Sequence, residues 1–169
     1  MIKCTTFYFD DDGSIPNNPK LPLLVYTGAL EPGSSEPGPV TTRLTGNGWQ
    51  GTWINGIYTY HHYHSTAHEV LVVTGGSATV QFGGASGKEL QIQKGDAVVI
   101  PAGVGHCNLD SSMGFRVVGA YPEGQNWDLC TGEPGERPRV LENIRAVPLP
   151  RNDPITGKPD PLLVHWGTS

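Results

Sequence analysis

The chain is poor in charge. Only 16% of its 169 residues are Asp, Glu, Lys or Arg, and the balance is acidic at −5. A nucleic-acid binder carries a basic face, so that class of partner is excluded. No apolar run approaches the ~20 residues of a membrane-spanning helix, so no membrane partner is expected. Cysteine is scarce. Cys4, Cys107 and Cys130 are odd in number, irregular in spacing and form no C-x-x-C. That pattern argues against a disulfide framework and for reduced thiols in an intracellular protein. The first residues also lack a secretory leader, because Lys3 runs into Thr5, Thr6 and three aspartates rather than an apolar stretch. The expected location is cytoplasmic.

Glycine (23 residues) and proline (15) are plentiful. At that density helices are interrupted throughout. A hydrophobic share of 37% with little net charge is incompatible with disorder. The combination predicts one turn-rich all-β domain over residues 1–169. Strands are predicted at 5–9, 21–26, 52–54, 57–64, 69–74, 78–82, 89–93, 97–100 and 115–121. Gly75-Gly76, Gly83-Gly84 and Lys94-Gly95-Asp96 separate several of them. Such spacing predicts a sandwich or barrel. Residues 31–41 read as an ordered Pro/Gly/Ser loop. The one helical pattern is PRVLENIRAV, where Val140, Ile144 and Val147 recur near i, i+4 and i+7 before Pro148. The tail beyond reads as extended. Strands 70–73 and 97–100 are apolar on both faces and must be covered on both. Terminal segments or a second subunit supply the outer cover, and a homodimer is expected.

Histidine carries the chemistry. Four of the six lie in HHYHSTAHE (61–69), and His106 closes PAGVGH. Side chains alternate along a strand, so His62 and His64 share a face while His61 and Tyr63 take the other. Glu69 can approach from a neighbouring strand, and His106 follows a turn built from Pro101, Gly103 and Gly105. Three imidazoles and a carboxylate suit one divalent transition metal per chain (Fe, Mn, Ni, Cu or Zn, with Co also compatible) and do not suit Ca or Mg. An octahedral centre would keep two positions open. His61 has the wrong parity. His68 is also off-face, a surface residue or an outer partner, and His165 is a packing residue.

Parity from His62 turns Tyr60 and Tyr58 inward, and Leu71 and Val73 share the face of Glu69. Tyr121, Gln125, Trp127 and Asp128 form a polar–aromatic cluster after the last strand. It is either a wall or lid over the barrel mouth, or a turn that packs Trp127 and caps the next segment with Asp128. Tyr58, Tyr60, Tyr121 and Gln125 are the catalytic candidates. A dicarboxylate substrate would need an arginine, Arg43 or Arg116. Arg116 takes the parity opposite to Phe115, Val117 and Tyr121, so it faces out, which weakens oxalate-like substrates.

The segment GIYTYHHYHSTAHEVLVVTGG fits G-x5-H-x-H-x4-E-x6-G through Gly56, His62, His64, Glu69 and Gly76. The segment GDAVVIPAGVGH fits G-x5-P-x-G-x2-H through Gly95, Pro101, Gly103 and His106. These segments resemble the two motifs of the cupin superfamily, over about residues 45–121. The whole chain is similar to small single-domain cupins of the YjlB type, through YHHYHSTAHEVL, PAGVGH and GAYPEGQNWD. One departure is Asp110, where the second motif often closes with Asn; Asn108 stands two residues earlier. The resemblance implies a double-stranded β-helix, or jelly-roll barrel, with residues 1–44 and 122–169 packed on it as N-terminal strands and a short C-terminal helix. It implies a metal inside one end of the barrel, held by His62, His64, Glu69 and His106.

A metal with open positions can polarise a carbonyl, stabilise an enolate or activate dioxygen, and the pocket rather than the fold chooses among these. The expected function is a metal-dependent enzyme acting on a small oxygenated organic molecule, of oxidoreductase or dioxygenase type. The alternatives are a redox-neutral isomerase or lyase, or a non-catalytic, metal-containing small-molecule-binding protein.

Overall fold

A computed structural model describes residues 2–167. The described residues form β1 (Lys3–Phe7), β2 (Leu23–Thr27), α1 (Pro37–Gly46), β3 (Trp49–Asn55), β4 (Glu69–Gly75), β5 (Ser77–Phe82), β6 (Lys88–Gln93), β7 (Ala97–Ile100), β8 (His106–Ser111), β9 (Arg116–Pro122), α2 (Arg139–Ala146) and α3 (Leu162–Trp166). Six strands pair antiparallel in the order β1-β2-β7-β4-β9-β3, and three more in the order β6-β5-β8. The two sheets face each other as a jelly-roll barrel.

Side-chain alternation divides β4 and β7 between two cores. Leu71, Val73, Val98 and Ile100 point inward and meet Val80, Phe82 and Ile92 of the smaller sheet. Val70, Val72, Ala97 and Val99 point outward and are covered by Val40 and Leu44 of α1 and by Ile155, Leu162 and Trp166 of the tail. The doubly apolar strands are therefore explained by the chain's own extensions. The observation behind the expected homodimer is met without a second subunit.

Four segments differ from the sequence reading. Residues 37–46, read as part of a loop and its sequel, form α1. Pro37 stands in the first turn, where its missing N–H costs nothing. Val40 and Leu44, one turn apart, are both fully buried, so tertiary burial outweighs the poor helix propensity of PGPVTTRLTG. The tail is not wholly extended, because α3 places Leu162 and Trp166 on one buried face. Residues 57–64 do not form a ladder strand. They run as a loop with two bridges, His62 to His106 and Tyr63 to Cys130. That loop pairs with the start of β8, a strand the sequence reading omitted because HCNLDS lacks alternation. Among the described residues no helix is long and apolar enough to cross a membrane.

Candidate functional site

The site lies at one end of the barrel, between the sheets. Glu69 opens β4 in the larger sheet and His106 opens β8 in the smaller one. The loop carrying His62 and His64 bridges the gap: His62 N–H donates to the His106 carbonyl (3.2 Å) and His106 N–H to the His62 carbonyl (2.9 Å). Upstream of His106, Gly103 makes the turn. Its φ is +94°, and a Cβ there would stand 2.4 Å from the Asn17 carbonyl oxygen, so only glycine fits.

The parity argument survives the loss of the strand. His62 and His64 are buried toward the site. Tyr63 turns the opposite way into a small separate core with Ile15, Cys130 and Val140, and its hydroxyl donates to Glu136 (2.7 Å). His61 does not line the cavity.

His64, Glu69 and His106 converge. Their donor atoms lie within 4.8 Å of one another, and each Nε2 is 3.3 Å from Glu69 Oε1. His62 stands beside this trio with its ring centroid 4.0 Å from that of His106. All three rings are fixed in the same way. The Nδ1 of His62 donates to the Tyr60 carbonyl (3.0 Å), that of His106 to the Val104 carbonyl (3.2 Å), and that of His64 to the Asp128 carbonyl. A carbonyl only accepts, so Nδ1 carries the proton and Nε2 is left to act as a donor atom toward an ion. With both Nε2 atoms unprotonated, the buried Glu69 Oε1 has no hydrogen-bond partner, and an orphaned carboxylate oxygen is costly unless something cationic meets it. The spacing fits an ion. Bonds of about 2.0–2.2 Å set at right angles separate their donor atoms by about 3 Å.

The electrostatics follow from burial and charge. Burial would raise Glu69, but His64 and His106, when Nε2 carries a proton in place of an ion, outweigh it and hold its carboxyl well below the usual range. Burial likewise opposes a charge on His64, while Glu69 overcomes it and pushes that imidazole up. His62 is lowered to about 3 by burial and then by its neighbour His106.

Asp128 organises His64 twice. Its carbonyl holds Nδ1, and its carboxylate accepts from the Ser65 N–H (2.6 Å) and the Ser65 hydroxyl. The segment after β9 is thus a wall: Trp127 lines the cavity and Asp128 ties the wall to the site.

The cavity in front of the trio has a volume of about 320 Å³. Tyr121 and Trp127 lie nearly parallel (20°, centroids 6.1 Å apart), both edge-on to His64. Burial and then the Glu69 charge push the Tyr121 phenol up, so it stays protonated. Tyr58 lines the mouth, half exposed. Tyr60 stacks on Tyr58 (5.0 Å) outside the lining, so only one of the two expected inward tyrosines reaches the cavity. Gln125 does not reach it either. It accepts from the His68 N–H (3.0 Å) and donates to the Pro148 carbonyl (2.9 Å), which makes it a brace for the wall. His68 is fully buried rather than on the surface. Its Nδ1 accepts from the Ala102 N–H (2.9 Å) and its ring packs on Trp166 (4.8 Å).

Trp53 is the wall residue that the sequence reading missed. Its indole donates to the Tyr121 hydroxyl (2.8 Å). It lies over Gly119, its partner across β3 and β9, where a Cβ would stand 2.3 Å from the indole. The signal was a glycine inside an otherwise apolar strand, which marks close approach.

Two facing antiparallel sheets with histidines and a carboxylate gathered inside one end define a cupin, and the chain belongs to that superfamily. The Cupin domain profile matches residues 53–109. The chain is similar to the uncharacterized protein YjlB of Bacillus subtilis (strain 168), 48% identical over 161 residues, which is 95% of each chain. Among solved structures it is similar to RmlC of Streptococcus suis in complex with dTDP-D-xylose. That match has a TM-score of 0.38 and 12% identity, over 80% of this chain and 75% of that one. It is also similar to the coconut allergen cocosin, with a TM-score of 0.43 and 16% identity, over 82% of this chain and 37% of that one. The chain spans about a third of the length of the 11S proteins it matches, 31% for the 11S allergen of Cocos nucifera and 29% for the 11S globulin procruciferin of Brassica napus.

Proposed function

We propose that the chain is a metal-dependent enzyme acting on a small oxygenated organic molecule, of oxidoreductase or dioxygenase type, with one divalent transition metal (Fe, Mn, Ni, Cu or Zn) held by His62, His64, Glu69 and His106. The observation that carries the reading is that three imidazoles each commit Nδ1 to a backbone carbonyl around one orphaned carboxylate oxygen. Unconstrained histidines would have no reason to share a tautomer. When bound, such a metal supplies Lewis acidity and, if redox-active, electron transfer. The chain does the rest. Asp128 and Val104 hold rings in place, Trp53, Leu71 and Trp127 exclude water, and Tyr121 can donate a hydrogen bond. Its oxygen accepts from Trp53, and its own O–H is turned toward the Glu69 carboxylate at the cavity. That hydroxyl supports a second reading, a redox-neutral isomerase or lyase in which Tyr121 delivers a proton.

The test is elemental analysis of the purified protein beside its His62→Ala/His64→Ala variant, followed by oxygen-uptake screening. Near-stoichiometric Fe, Mn, Ni, Cu or Zn that disappears in the variant supports the centre. Oxygen uptake on turnover supports the oxidoreductase reading over the redox-neutral one. No metal, and none taken up on reconstitution, overturns both.

A further inference from the structure

We infer that the cavity is built for a small aromatic or conjugated molecule offering one ionisable oxygen donor, a phenol or enol, and carrying no phosphate or second carboxylate. The inference rests on the metal-centre reading above and deepens it. Charge is the first ground. A divalent ion with neutral imidazoles and the Glu69 carboxylate leaves one net positive charge, which one anionic oxygen neutralises once its proton has gone to solvent. A dianion would bring a second charge that the cavity does not meet. Among the described residues, no lysine or arginine lines it. Asp128, behind the wall, is itself negative and committed to Ser65. Arg116 is exposed, and Arg43 donates to the Ile155 carbonyl (2.9 Å). Unpaired charge in a low-dielectric pocket is strongly disfavoured.

The walls are the second ground. Trp53, Tyr58, Tyr121 and Trp127 give the cavity aromatic surface, over an aliphatic floor that includes Ile57 and Leu71. Aromatic walls reward a flat partner beyond the area it buries. A volume of about 320 Å³ lies at the small end of ligand sites, enough for a compact ring system and not for a nucleotide sugar. The Tyr121 hydroxyl, held between the Trp53 indole and the Glu69 carboxylate, then meets an oxygen on the ligand.

The test uses the full chain loaded with Zn²⁺ and isothermal titration calorimetry with benzohydroxamate, acetohydroxamate and oxalate, zinc content being measured in every sample. The two hydroxamates share a chelating head that binds as a monoanion, and one carries a ring where the other carries a methyl group. Benzohydroxamate should bind about tenfold tighter than acetohydroxamate, and oxalate no tighter than acetohydroxamate. Trp127→Ala, at a half-exposed position, should cut the preference for the ring about three- to tenfold with zinc content unchanged. Equal hydroxamate affinities, or tightest binding of oxalate, on fully zinc-loaded protein would overturn this inference and leave the metal centre standing. A chain that holds no zinc overturns the centre itself, and this inference with it.

Discussion

The outer and inner faces of the six-stranded sheet use the same residue types in different ways. Outside, Trp49 donates to the Asn152 carbonyl (2.9 Å), Trp166 to the Pro22 carbonyl (2.8 Å) and Tyr26 to the Asp153 carboxylate (2.5 Å). All three side chains are fully buried, and His68, also fully buried, packs beside Trp166. Inside, Trp53 donates to a tyrosine hydroxyl that itself faces the site carboxylate, Trp127 is half exposed, and Glu69 Oε1 makes no hydrogen bond. Residue type does not separate structure from function in this protein. Uncommitted hydrogen-bonding capacity facing a cavity does.

If the division is real, the two faces break independently. Trp166→Ala should cost about 3–5 kcal/mol in urea unfolding, as truncation of a fully buried large side chain does, while the folded fraction keeps its metal affinity. A parallel loss of affinity would show that the faces are coupled. His106→Ala should do the reverse. Metal affinity by competition against a chelator should fall by more than the roughly 10–100-fold typical of losing an outer partner, with a smaller change in the unfolding of the metal-free protein. Asp128→Ala comes next. It removes the anchor at Ser65 and frees the carbonyl that orients His64, so affinity should drop about 10–100-fold with the ligand set intact. Unchanged affinity would reduce Asp128 to a loop brace.

Much of this was legible because local rules and global fold agree in the barrel. Tight-turn glycines bound alternating strands, and both motifs sit where the ends of β4 and β8 meet. Strand parity placed His62 and His64 on one side even though residues 57–64 are a loop, since extended backbone alternates whether or not it is in a ladder. The extensions were less legible. Only burial against β3, β4 and β9 makes PGPVTTRLTG a helix, and it is supported by contacts more than a hundred residues away, such as Arg43 to Ile155. Tyr60 was misplaced because the chain bends at residues 59–60, just before the extended stretch begins, and Gln125 because it follows a turn that has no period from which to read direction. His68 was misplaced because its cover, Trp166, comes from the far end of the chain.

The same substitution on each face sharpens the comparison further. Tyr26→Phe removes the hydroxyl that donates to Asp153, whose carboxylate also accepts from the backbone of Ile155 (2.7 Å) and Thr156 (3.0 Å). Burial already raises the Asp153 carboxyl above its usual range and outweighs those donors. Losing one donor raises it more. A carboxyl raised in the folded state is protonated in both states at low pH and contributes no difference there. It costs stability as pH climbs through its folded value, because ionisation is then easier unfolded. The deficit of Tyr26→Phe should therefore be small near pH 3 and grow to about 1–2 kcal/mol by pH 7, in urea titrations at several pH values. Tyr121→Phe leaves the Trp53 indole N–H beside an open cavity where water can take it, so its deficit should be smaller. A pH-independent deficit for Tyr26→Phe would mean that Asp153 does not ionise against its burial, and the outer face would owe its stability to packing alone.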